Sequence, residues 1–131
     1  MESSNTYNNL QKAVSKVLIR HKSILDIITK LEESNSRINR AVVKSVTSCG
    51  CISINAEKQD YSKDSLIDIK NSLKSHVEGN LCDNCREKIE EEIGNHLFYI
   101  ASLCNTLDLN LEEITSKEIS NLKTLGIYSL L

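Results

Sequence analysis

The sequence predicts an all-α protein, a bundle of helices with almost no sheet. Three observations carry that prediction. The 131 residues include no proline and only four glycines, whereas sheets rich in tight turns draw on both. Apolar residues recur at three- and four-residue steps through most of the chain, the period of a helix with one face turned inward. Ser, Asp or Asn stands where several of these periodic segments begin, as helix N-termini require. A chain of this length makes one domain, residues 1–131, that buries roughly two thirds of its unfolded surface.

The first periodic segment holds Leu10, Val14, Val17, Ile24, Ile28, Leu31, Ile38, Val42 and Val46, with His21 and Asn35 keeping the phase. It predicts one long helix from about Tyr7 to Ser48, or two consecutive ones with the second capped by Ser23. The pattern stops at Thr47-Ser48-Cys49-Gly50-Cys51. Cys49 to Tyr61 reads as a loop, because the alternation of Ile52-Ser53-Ile54-Asn55 is too short to argue a sheet. A short helix follows, capped by Ser62 or Ser65, carrying Leu66, Ile69 and Leu73 and stopped near Gly79. The next helix is capped by Asp83 or Asn84 and presents Ile89, Ile93, Leu97, Ile100, Leu103 and Leu107 as one stripe. Asn110-Leu111-Glu112-Glu113 forms a variant capping box for a last helix to about Leu125, ended by Gly126 and followed by an apolar tail, Ile127 to Leu131.

Composition excludes several classes. Sixteen basic and eighteen acidic residues give a net charge of −2, without the basic excess of a nucleic-acid binder. No apolar run reaches the length of a membrane span, so no membrane partner is expected. Met1 to Asn9 lacks a basic-then-apolar leader, and the expected location is cytoplasmic. No Walker-type phosphate loop and no Gly-x-Ser-x-Gly elbow occurs.

Two constellations carry chemistry. Cys49-Gly50-Cys51 and Cys82-Asp83-Asn84-Cys85 are two close pairs in a connection spanning about residues 47–85. Four thiolates from two short turns suit a tetrahedral Zn²⁺, and the second pair sits where a helix start favours thiolate. His76 is an alternative ligand. The alternative reading is four unmetallated loop thiols, two of them redox-active. Cys104, inside a helix, reads as a small buried side chain. The second constellation is acidic: Glu32-Glu33 on the first long helix and Glu90-Glu91-Glu92 on the later one. Turned inward they offer hard oxygen ligands to Mg²⁺; turned outward they are solvated faces.

The run from Glu91-Glu92-Ile93-Gly94-Asn95-His96 through Leu111-Glu112-Glu113-Ile114 resembles the metal-binding helix, turn and following helix of MazG-like nucleoside triphosphate pyrophosphohydrolases. Leu31-Glu32-Glu33-Ser34-Asn35-Ser36 is similar, more distantly, to that family's earlier Glu-Glu-x-x-Glu motif. The resemblance covers about residues 90–114 well and does not extend to the cysteine-bearing segment. It implies a MazG-like bundle completed by homo-oligomerisation as a dimer or tetramer. It also implies a nucleotide partner and a Mg²⁺ site on Glu32, Glu33, Glu91, Glu92 and Asn95. Ser36 and Asn95 stand where the family has acids. Each removes a charge from that site, so catalysis is expected to be degenerate. The competing class is a non-catalytic module whose chemistry lies on the cysteines.

Overall fold

The computed structural model describes residues 5–126, and the apolar tail Ile127 to Leu131 lies outside them. The chain runs α1 (Thr6–Val17), α2 (Ile24–Lys44), β1 (Ile52–Ile54), α3 (Leu66–Ser72), β2 (Val77–Gly79), α4 (Asp83–Thr106) and α5 (Leu111–Leu125). The all-α class holds, with one small addition: β1 pairs antiparallel with β2, Ser53 opposite Glu78.

The first periodic segment is two helices. They part at Leu18–Ser23, where His21 adopts a left-handed φ of 56° and Ser23 caps α2 by accepting from the Leu25 amide at 3.2 Å. Ser65 and Asn110 cap α3 and α5 in the same way, through Asp68 at 3.1 Å and Glu113 at 2.9 Å. The cap of α4 is neither Asp83 nor Asn84. It is Cys82, whose sulfur accepts from the Cys85 amide at 3.4 Å. Nor does Gly79 stop the short helix, which ends at Ser72. Gly79 belongs to β2 with φ +87°, and a Cβ there would lie 2.6 Å from the Cys51 carbonyl oxygen. Glycine lets the two strands close at this point. Gly79→Ala is therefore expected to cost about 3 kcal/mol by combined backbone strain and overlap, read as a lower midpoint in urea unfolding; an unchanged midpoint would refute the close approach.

The core is an antiparallel pair of helices, with Ser34 level with His96 and Ser45 level with Cys85. Along α2 the inward residues are Ile24, Ile27, Leu31, Ser34, Ile38, Ala41 and Ser45, alternating steps of three and four. On α4 they are Cys85, Ile89, Glu92, His96 and Tyr99. This is the narrow seam of a coiled coil, and small or polar side chains fill much of it. The stripe expected on α4 is consequently only partly inward: Ile89, Ile100 and Leu103 are half-buried, Ile93, Leu97 and Leu107 are exposed, and Glu92, Ala101, Ser102 and Cys104 are buried. Helix α1 packs on the later turns of α4. Gln11 fastens it there, donating to Asn105 and to the Leu109 carbonyl, each at 2.9 Å, and accepting from the Leu111 amide at 2.7 Å.

Rotation of the seam gives the α2/α4 pair two unlike sides. One flank carries Arg37, Arg40 and Lys44 of α2 with Lys88 of α4. By helical phase the opposite flank carries Ile28 and Val42 with Ile93 and Leu97, which are 49%, 36%, 43% and 36% exposed.

Candidate metal centre

Helix α2 does not end in a simple turn. Residues Ser45–Cys49 widen into one π turn, closed by the Gly50 amide bonding to the Ser45 carbonyl at 2.9 Å with Gly50 at φ +79°. That left-handed residue reverses the chain, so Cys49 and Cys51 stand on either side of a tight knuckle. Cys51 donates to the Ser45 carbonyl at 3.8 Å. The strand pair then returns the chain to the same place, and β2 delivers Cys82 to the cap of α4 and Cys85 to its first turn.

The result is one cluster. The sulfurs of Cys49, Cys51, Cys82 and Cys85 all lie within 4.8 Å of one another, and Cys49 and Cys82 are 3.8 Å apart. A tetrahedral Zn²⁺ with Zn–S bonds of ~2.3 Å places its sulfurs ~3.8 Å apart. The cluster therefore fits that ion with sub-ångström inward shifts. All five cysteines are free thiols. His76, the alternative ligand, is outside the group; it has φ +63° and its Nε2 accepts from the Glu57 amide at 3.4 Å.

The electrostatics favour a cation. The Cys85 amide, pointing out of the first turn of α4, pulls the Cys82 thiol down to about 7, and the neighbouring thiols assist. The Ser45 hydroxyl acts the same way on Cys85, but the sulfur of Cys82 and desolvation outweigh it and push Cys85 up to about 12. Cys49 is raised too: the Cys51 amide lowers it, but the Cys82 sulfur prevails. One thiolate forms readily and opposes the next, an opposition that a bound dication removes.

No protein-family model, curated protein or solved structure matches this chain.

The acidic constellation is arranged differently. Ser34 occupies the seam of α2, which leaves Glu32 and Glu33 exposed. Glu33 pairs with Lys30 at 3.2 Å and Arg37 at 3.6 Å, and the Lys30 ammonium holds its carboxyl below the usual range. Glu91 and Asn95 are exposed as well. Glu92 alone is buried, 3.5 Å from Lys88. Among the described residues, the four cysteines are the only set of three or more His, Cys, Asp or Glu donors close enough to share an ion. The Mg²⁺ site expected from the resemblance thus has no grouped carboxylates behind it, because the seam turns one acid inward and the rest out. His96, beside these acids on α4, meets Ser34 of α2, Nδ1 to Oγ at 2.7 Å. The Ser34 hydroxyl also lies 3.0 Å from the Leu31 carbonyl oxygen, so it links α4 to the α2 backbone.

Sequence reasoning left out two features. Ser45, fully buried at the end of α2, donates to the Ala41 carbonyl at 3.0 Å and anchors the knuckle through its own carbonyl. A cleft of about 600 Å³ beside the cysteines is lined by Arg37, Arg40, Lys44 and Lys88. The signal for it is in the chain: Arg37, Arg40 and Lys44 follow helical spacing.

Among the described residues, no helix is long and apolar enough to cross a membrane.

Proposed function

We propose that this protein is a zinc-clamped helical module in which Cys49, Cys51, Cys82 and Cys85 hold one structural Zn²⁺. The observation that supports it is the convergence of four sulfurs within 4.8 Å from segments more than thirty residues apart in sequence. Four thiolates close the coordination shell and leave no position for water or substrate, the mark of a structural rather than a catalytic zinc site. The ion fixes the knuckle and the strand pair to the first turn of α4. Elemental analysis of protein purified without added metal is expected to give one zinc per chain, lost in Cys82→Ser. Simultaneous reaction of all four thiols in the native protein, with no metal found, would overturn the reading.

A second reading, descent from MazG-like pyrophosphohydrolases, draws support from the burial of Glu92 on the face of α4 that packs against α2. Of the acids that resemblance would use, Glu92 is the one the helix pair buries, whereas Glu33 is exposed and paired with Lys30 and Arg37. Ser36 and Asn95 cannot neutralise an ion or take a proton from water. Release of pyrophosphate from nucleoside triphosphates is accordingly expected to be weak or absent. Robust Mg²⁺-dependent release, abolished by Glu92→Gln, would contradict this.

A second copy of the chain is the partner proposed for the apolar flank. Ile28, Val42, Ile93 and Leu97 stand exposed along that flank, an unpartnered apolar strip on a helix pair that a second copy of the same strip would cover.

A further inference from the structure

We propose that the basic cleft between α2 and α4 is a binding site for a small phosphate-bearing ligand. The cleft of about 600 Å³ has the volume of a small-molecule site. Four cationic side chains line it, Arg37, Arg40 and Lys44 from α2 and Lys88 from α4, against one carboxylate, Glu92. This excess of three positive charges stands on a chain whose net charge is −2. Glu92 is engaged by Lys88 at 3.5 Å, and Arg37 shares Glu33 at 3.6 Å. Among the described residues, Arg40 and Lys44 are in no ion pair with a carboxylate.

The placement costs stability in the free protein. Arg37, Arg40 and Lys44 sit three and four residues apart, where like charges on a helix repel. A dianion in the cleft would relieve that repulsion. Ala41, Ser45, Ser48 and Cys85 line it as well, and their small side chains leave room between the helices. Asn84 and Cys85 bring the first turn of α4 to its wall, so the positive end of that helix adds to the same field. Guanidinium forks from two arginines match phosphate oxygens in geometry as well as in charge. The cleft adjoins the proposed zinc centre, since Cys49 and Cys85 also line it, but the cations that define it belong to helices and not to the cysteine turns.

The test is an amide NMR titration of the zinc-loaded full chain at low ionic strength. Inorganic phosphate and ribose 5-phosphate serve as separate probes, with sodium chloride as the ionic control. Saturable shifts confined to residues 37–48 and 84–92 are expected. Tighter binding of ribose 5-phosphate assigns the site to a phosphate monoester; equal binding assigns it to free phosphate. Arg40→Gln/Lys44→Gln, two exposed positions whose change leaves the fold intact by circular dichroism, is expected to weaken binding at least tenfold. Lys117→Gln/Lys123→Gln on α5 is expected to leave it unchanged. Shifts that stay linear, or that chloride reproduces, would overturn the proposal. So would a double variant that binds phosphate as before but loses zinc affinity, since the cations would then serve only as counter-charge to the thiolates.

Discussion

Stripping zinc from the loaded protein is expected to lower its melting temperature by roughly 10–20 °C and to release the segment between the two cysteine pairs. Tying Cys49 to Cys82, 33 residues apart, removes chain entropy from the unfolded state worth about 4 kcal/mol by the loop-closure relation for cross-links. In a domain of this size each kcal/mol moves the midpoint by several degrees. The strand pair is three residues long on each side, too short to persist alone. Amide exchange at Ile52–Ile54 and Val77–Gly79 should therefore accelerate first, while the α2/α4 seam stays protected. Calorimetry with and without a chelator reads the first effect and exchange mass spectrometry the second. An unchanged midpoint after chelation would remove the metal from the account.

The same ion should bind more weakly in acid. Zinc takes thiolates, so every protonated sulfur must release its proton, and each contributes about a tenfold loss of affinity per pH unit below its own pKa. Cys82, at about 7, contributes only below neutrality, whereas Cys85, at about 12, contributes across the whole working range. Without metal the two act in opposite directions. The depressed Cys82 adds stability above its ordinary value of 9.0 that is lost as pH falls through about 7. The raised Cys85 adds stability below 9.0 that is lost as pH climbs towards about 12. Cys82 should also be the first residue alkylated in the metal-free chain near pH 7, and zinc should protect it.

The native chain is expected to run at twice its 14.7 kDa mass in light scattering, and Ile93→Asp/Leu97→Asp to return it to a monomer that remains folded. Both side chains lie on the outer flank of α4, so charging them leaves the α2/α4 seam in place but puts two carboxylates in the centre of the proposed interface. Burying an unpaired charge costs several kcal/mol, enough to shift a dimer from micromolar to millimolar dissociation. A native chain that stays monomeric at high concentration would exclude a second copy as the partner of this flank.

That flank also shows where the sequence stops being legible. Helix ends were readable because a cap is a local device: Ser23, Ser65 and Asn110 each satisfy an amide two or three residues away. The convergence of the cysteines was readable because two close thiol pairs beside predicted helix ends have few uses other than a shared ion. The rotation of α2 against α4 was not. Ile28, Val42, Ile93 and Leu97 continue the apolar period as well as Ile27, Ile38 and Ile89 do, and the period does not say which of two apolar strips meets the neighbouring helix. The chain buries Ser34, Ala41, Ser45 and Glu92, letting the helices approach through small residues and a paired acid. The same ambiguity misplaced the carboxylates, since a shift of one position around the helix separates Glu33 from Ser34. The strand pair escaped because its central partners, Ser53 and Glu78, are 25 residues apart and the close approach of Gly79 to the Cys51 carbonyl is a tertiary contact. Cys82 as a cap escaped because a thiol is a poor capping acceptor beside Asp or Asn.

The position of the clamp bears on how fast the protein can fold. Ser34 and His96 are 62 residues apart in sequence, a slow, non-local encounter for a helical protein. Of those residues, 33 lie between Cys49 and Cys82. Once an ion ties these sulfurs, the chain between the seam partners is effectively 29 residues, and closing it costs about 0.7 kcal/mol less. A metal captured early thus turns two distant helices into neighbours on a short tether, so the refolding rate, and not only the final stability, should rise with zinc.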